Sequence, residues 1–174
     1  MLFNLEKQDN TSKQNSPMFR LYTANLNDVD VENWPVAVDV TISSSVLKPG
    51  KKWNYLDSTP TSINPNAAPG ESPLNGVLTL TPVIEGISKK SLQWIYDNKG
   101  DDFVVIWVRC ADNQKFIGGN PCSSGLKLSY TQIGNLDGGI GGIALQFQGK
   151  ECPDPFYFYD GPLEVEPDVV APTP

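Results

Sequence analysis

The sequence predicts a mainly β protein, a sandwich or barrel, with one α-helix at about residues 88–98 and a long mid-chain loop. Three observations carry this expectation. Short apolar runs alternate at period two, the signature of half-buried strands. Turn formers are abundant, with 15 Gly and 15 Pro among 174 residues, which favours frequent turns over long helices. One stretch alone combines helical spacing with a stop and a start signal.

Taken in order, residues 1–20 are a polar arm, too poor in apolar side chains to fold alone, and either mobile or ordered by a neighbour. A single β-rich domain is expected over 21–161. Phe19–Ala24 reads as a short strand. Val36-Ala37-Val38-Asp39-Val40-Thr41-Ile42 reads as a clear one, with Val36, Val38, Val40 and Ile42 on a shared face. From 43 to 75 the pattern stops. Five prolines and two glycines mark an irregular loop, with a small hairpin at Lys48-Pro49-Gly50-Lys51. Loops of that length are uncommon in compact domains and usually carry function. Trp53, Tyr55 and Leu56 within it call for a surface to pack on.

Alternation resumes at Gly76–Val83. Ser88 then caps the helix, with Leu92, Ile95 and Tyr96 at helical spacing and Trp94 beside them, and Asn98-Lys99-Gly100 closes it. Phe103 to Val108 is unbroken apolar, so that strand is expected to be covered on both faces. Lys115–Gly118, Leu126–Tyr130 and Ile143–Gly149 complete the strands, and 162–174 is a Pro-rich, extended tail.

Composition excludes several functions. The chain has no histidine, which removes His-based triads, His metal sites and the usual neutral-pH proton shuttle. A net charge of −7 does not suit a protein that grips nucleic acid by its phosphates. No apolar run reaches the roughly 18 residues of a membrane span. Met1–Lys7 lacks the charged-then-apolar pattern of an export signal, so none is expected. Cys110, Cys122 and Cys152 are an odd number and read as reduced thiols of a cytoplasmically made protein. A Cys110–Cys122 bridge across a hairpin is the alternative.

The motifs that resemble chemistry each have a plainer account. Gly138-Gly139-Ile140-Gly141-Gly142 is followed by Ile143-Ala144, where a phosphate loop requires Lys-Ser/Thr or a helix, so it reads as a tight turn or a close backbone approach. Zinc needs four Cys or His ligands, and no metal or other cofactor is expected. Asp28, Asp30 and Glu32, or Asp101 and Asp102, could in principle serve as a glycosidase acid–base pair, but acidic residues are common on surfaces and solvated charge is the preferred reading. The rings of Trp53, Tyr55, Phe156, Tyr157 and Tyr159 would suit sugars, or core and subunit packing. In Cys152–Gly161, Phe156 and Phe158 face one way and Tyr157 and Tyr159 the other. Both faces are apolar, and a face not on the core needs a neighbour.

Residues 20–161 resemble the tail tube proteins of tailed bacteriophages in layout: a mostly β domain, one helix between strands, a long loop and polar arms. The stretches SLQWIYDNKGDDFVVIWVRC and GGIALQFQGKECPDPFYFYDG, with the glycine turn between them, carry the resemblance. It implies a non-enzymatic virion subunit, assembled in the host cytoplasm into typically hexameric rings that stack into a tail. Its implied partners are copies of itself, the tape measure and tail terminator proteins, and DNA in transit without specific binding. An acidic lumen fits that passage, because basic residues would hold a polyanion at each phosphate. Lys48, Lys51, Lys52, Trp53 and Tyr55 would dock on an acidic face of the next ring, and Phe156, Tyr157, Phe158 and Tyr159 would add contact surface. A head decoration or head–tail joining protein, the tube of an injection or secretion machine, and a carbohydrate-binding sandwich are the alternatives.

Overall fold

The computed structural model describes residues 4, 20–59, 62–109, 112–136 and 141–168. It is mainly β with one α-helix and a mixed sheet of 11 strands, bent into two packed layers. The strands are β1 (Arg20–Asn25), β2 (Thr41–Ile42), β3 (Asn54–Asp57), β4 (Asn66–Pro69), β5 (Gly76–Leu80) and β6 (Val83–Glu85). After helix α1 (Lys89–Asn98) come β7 (Asp102–Val108), β8 (Lys115–Gly118), β9 (Leu126–Asn135), β10 (Gly141–Gly149) and β11 (Phe156–Tyr159).

The first layer runs β3-β1-β7-β8-β11-β2, antiparallel except for the last pair. The second runs β9-β10-β5-β4, with β6 beside the start of β10. The layers join where Asp102 and Phe103 of β7 pair with Lys127 and Leu126 of β9. Between them lies the main core. Phe103, Val105 and Trp107 meet Leu78, Leu80, Leu128, Leu145 and Phe147, and α1 closes one side with Trp94 and Ile95. Phe103 is clamped edge-on by Phe147 at 5.7 Å, with Trp94 on another side at 6.4 Å.

A second core covers the outer face of the first layer. Val104 and Ile106 of β7, Tyr22 and Ala24 of β1 and Ile117 of β8 are roofed by Val29, Ile42, Val46, Leu47 and Trp53. This explains the unbroken apolar run of β7, whose residues 103–107 are all buried. Each such side chain contributes about 1.5–3 kcal/mol of burial, which makes β7 the keel of the fold.

The helix forms as expected. The Ser88 hydroxyl accepts from the Ser91 N–H at 3.0 Å, and the Ser91 hydroxyl accepts from the Ser88 N–H at 2.9 Å, a reciprocal cap. Its buried face is Ser91, Trp94, Ile95 and Asn98. Tyr96, at helical spacing with Leu92, is 52% exposed, and Trp94 is buried because 91, 94, 95 and 98 make the i, i+3, i+4, i+7 stripe.

Three expectations are corrected. The strand over 36–42 shrinks to Thr41–Ile42. Val38 and Thr41 exchange both backbone hydrogen bonds, at 3.0 and 2.9 Å, so the run turns back on itself. Asp39 and Val40 at the corner both lie in the left-handed region, with φ of 48° and 56°. Of the four residues assigned one buried face, only Ile42 is buried, while Val36, Val38 and Val40 stand 87%, 70% and 61% exposed.

The loop over 43–75 also holds structure. Residues 54–57 pair with β1 and 66–69 pair with β5, so two strands lie inside it. The expected small hairpin at 48–51 is a turn, closed by the Lys51 N–H to the Lys48 carbonyl at 3.1 Å.

The ends, finally, are part of the packed unit, which therefore extends beyond 21–161. Trp53 bonds through its N–H to the Glu164 carbonyl and through its carbonyl to the Glu166 N–H, both at 2.8 Å. Asn4 is buried beside them: its side-chain oxygen accepts from the Tyr55 N–H at 2.9 Å, and its amide donates to the Glu166 carbonyl at 2.8 Å. The tail and Asn4 thus cover the outer edge of β3, which would otherwise present unpaired backbone groups. Of the polar arm over 1–20, Arg20 opens β1 and the residues other than Asn4 and Arg20 lie outside the described residues.

Candidate functional site

Four surface regions hold the residues singled out by sequence or brought together by folding. The first is the turn over 45–53, beside a cavity of about 370 Å³ walled by Lys48, Lys51, Lys52, Pro162 and Glu164. Two of its lysines are tied to the chain's own backbone and charge. Lys48 Nζ donates to the Asn27 carbonyl at 2.7 Å, and Lys51 Nζ lies 2.7 Å from the Asp28 carboxylate. That hydrogen bond and charge hold the Lys51 ammonium above its ordinary pKa. The two aromatics placed with them point inward. Trp53 is 1% and Tyr55 is 5% exposed, so the surface these loop rings require is the chain's own second core.

The second region is β11. It runs inside the first layer, between β8 and β2. The alternation read from sequence holds, and each face meets a core. Phe158 packs tilted against Phe116 at 4.9 Å, and Phe156 meets Trp107 at 5.7 Å. Tyr157 and Tyr159 belong to the second core, where Tyr159 meets Trp53 edge-on at 6.4 Å. Of these four rings Phe156 is the most open, at 40%.

Burial pushes both tyrosines up to about 12, and for Tyr157 a hydrogen bond to Asp154 and the charge of that carboxylate add to the effect. Tyr159 also donates its hydroxyl to the Pro162 carbonyl at 2.8 Å. An unfolded tyrosine ionises near 10, so between pH 10 and 12 the unfolded chain binds fewer protons than the folded one. Stability therefore stays level with respect to these groups below pH 10 and falls as pH rises to 12. The expected loss is of the order of 1–2 kcal/mol for Tyr159 after solvent screening. Denaturant unfolding at stepped pH, with tyrosinate absorbance as the monitor, measures it. Unchanged stability up to pH 12 would contradict this account.

The third region is the valine hairpin. Trp34 and Ala37 anchor it on the second core. Beneath it is a hollow of about 430 Å³ between Trp34, Pro35, Val36 and Val40 on one side and Asn120, Asp154 and Tyr157 on the other. A β-branched residue at positive φ is a true outlier, because its Cβ crowds the following carbonyl. Two-residue hairpin turns of this hand normally take Asn-Gly. Here Asp39-Val40 occupies the corner and holds three valines in solvent.

The fourth region was invisible in the sequence. A groove of about 560 Å³ lies at the junction of the two layers, lined by Lys99, Lys127, Lys150, Leu128, Tyr130 and Ser124. Lys127 reaches the Gly100 carbonyl at 2.9 Å and Asp102 at 3.1 Å. Its three lysines come from the end of α1, from β9 and from the end of β10, so no local window contains them. The left-handed residues Gly100, Ser124 and Gly125, with φ of 89°, 61° and 73°, are the only local hints of its turns.

Four of the five acidic residues weighed as acid–base candidates are engaged structurally, and the fifth, Glu32, is exposed. Asp28 meets Lys51, Asp30 accepts from Asn33 at 3.1 Å, Asp101 accepts from Asn25 at 3.0 Å, and Asp102 meets Lys127. Among the described residues no group of three or more Cys, Asp or Glu could hold a metal ion, and no helix is long and apolar enough to cross a membrane. Cys122 and Cys152 are free thiols, and burial pushes the Cys152 thiol up. Cys110, and with it the Cys110–Cys122 pairing, lies outside the described residues. So does most of the glycine cluster. Gly141 and Gly142 open β10, opposite Asn135 and Gly134 of β9, so a strand follows the glycines. A Cβ on Gly142 would sit 2.6 Å from the Ile84 carbonyl oxygen, the close backbone approach expected of that cluster.

No protein-family model, curated protein or solved structure matches the chain.

Proposed function

We propose that the chain is a structural subunit that assembles with copies of itself, and that the assembly it best fits is the tube of a bacteriophage tail. The observation that carries the reading is where the exposed apolar side chains sit. Val36 and Leu74, 87% and 83% exposed, stand on turns that project from an otherwise completed sandwich. Apolar tips on a domain whose cores are already closed favour a partner surface. The net charge of −7 suits a conduit through which a polyanion slides. The layout resemblance over residues 20–161 supplies the tail assignment. Within this reading Lys48, Lys51 and Phe156 are the exposed members of the contact set named from sequence, and Trp53, Tyr55 and Tyr159 shape it from within.

Light scattering of the purified protein, followed by negative-stain microscopy of any large species, tests the proposal. Rings or tubes are the expected result. A persistent 19.0 kDa monomer at high concentration overturns it. Antibody labelling of intact particles separates a tube from a head decoration or head–tail joining protein. One observation favours a second reading: Trp34 and Tyr157 flank Asp154 and Asn120 in the hollow under the hairpin, the mixture of rings and polar groups that sugars bind. Specific binding on a glycan array would move the assignment there.

A further inference from the structure

We infer that the valine hairpin over 36–41 is a docking element, and that its receptor is the lysine groove of a second copy of the chain. This rests on the self-assembly reading and deepens it by naming the two surfaces that meet.

Two features mark the hairpin as more than a connection. Its corner residues Asp39 and Val40 hold left-handed conformations that a glycine would relieve. Strain of this kind persists where the surroundings impose it and clusters at sites of function. The strained turn also presents Val36, Val38 and Val40 to solvent, with Trp34 and Ala37 fixing its base on the second core. The local sequence could bury these valines as a strand, and the fold displays them.

Charge selects the receptor. From Leu21 to Leu47 the chain has no Lys or Arg, while Asp28, Asp30, Glu32 and Asp39 are acidic. Asp28 is neutralised by Lys51 and Asp30 is held by Asn33, which leaves Glu32 and Asp39, both exposed, as the outward charges of the hairpin region. The groove offers Lys99 and Lys150, while Lys127 is paired with its single lining carboxylate, Asp102. It also offers the ring of Tyr130, 43% exposed, as an apolar contact. An acidic, valine-tipped turn and a basic groove with an exposed ring complement one another in charge and in polarity, and opposite potentials set the register of such contacts. The two surfaces are different patches of one chain. Used reciprocally they close a dimer, and used head to tail they close a ring or extend a filament.

The test is association measured by sedimentation over a range of protein and salt concentrations, with circular dichroism to confirm folding. All substituted positions are surface positions. Reversing the hairpin charges (Glu32→Lys with Asp39→Lys) is expected to weaken association roughly tenfold, and reversing the groove (Lys99→Glu with Lys150→Glu) to do the same. Combining the four substitutions restores it. Val36→Ser with Val38→Ser weakens association without changing its salt dependence. Dimers, rings and filaments with this mutational pattern all support the contact. If the wild-type chain assembles and the reversals change nothing, or their combination fails to restore assembly, the contact is overturned and the self-assembly reading stands. If the wild-type chain stays monomeric throughout, both fall.

Discussion

Replacing Trp53 by alanine is expected to destabilise the fold by about 3–5 kcal/mol, the range for deleting a fully buried large aromatic. Trp53 is 1% exposed and touches Tyr159 edge-on at 6.4 Å. Val29, Val46 and Leu47 share its cluster, all of them on the segment that roofs the first layer. Removing the indole therefore opens a cavity at the point where roof, β3 and tail converge. Its backbone also carries the two 2.8 Å hydrogen bonds that hold the tail, at Glu164 and Glu166. With total stabilities of about 5–15 kcal/mol, a loss of this size leaves a marginal protein. Urea midpoints give the number. The matching control is Val36→Ala, which is 87% exposed and should shift stability by less than about 0.5 kcal/mol. A Trp53→Ala effect below about 1 kcal/mol would mean that the residue is not a core anchor.

The second large effect is expected at Gly119. Its φ of +90° is unfavourable for any side chain, and an added Cβ would lie 2.4 Å from the Phe103 carbonyl oxygen and 3.1 Å from the Val104 Cα. Both neighbours are backbone atoms of β7, the keel of the fold, so neither can swing aside. Gly119→Ala combines a dihedral penalty with a clash that must displace β7 or β8, at a cost of roughly 3 kcal/mol or more. Gly50→Ala separates the two contributions. Gly50 has a φ of +78° and nothing within 4 Å of the added atom, so its cost is the dihedral alone, about 1 kcal/mol. Equal effects at the two positions would show that the close approach to β7 is not rigid.

Much of the architecture was legible in the chain. The β7 run, the Ser88 cap and Gly100 stop of α1, and the two-way facing of β11 all follow from local rules of periodicity and capping, and the structure has each of them. The hairpin was not legible, because Val36 to Ile42 satisfies the strand pattern perfectly well. Its fate was decided by where a partner strand was available: only Thr41 and Ile42 find one, in Phe158 and Tyr159 of β11, more than a hundred residues away in sequence. Residues 54–57 were hidden for the converse reason. They sit among prolines and lysines, and become a strand because β1 offers an edge.

The same division holds for the candidate sites. The lack of histidine ruled out histidine-based sites and the short alternating runs set a β fold, because composition and local periodicity are properties of the chain itself. Which rings face solvent was a tertiary decision. Trp53 and Tyr55 were drawn inward by an uncovered face of the first layer, while the valines of the hairpin were left outside because Trp34, Ala37 and Ile42 already cover that part of it. The lysine groove was tertiary throughout. Lys99, Lys127 and Lys150 become neighbours only because β7 and β9 join the two layers at Asp102–Lys127, a pairing between distant segments that no local interaction specifies.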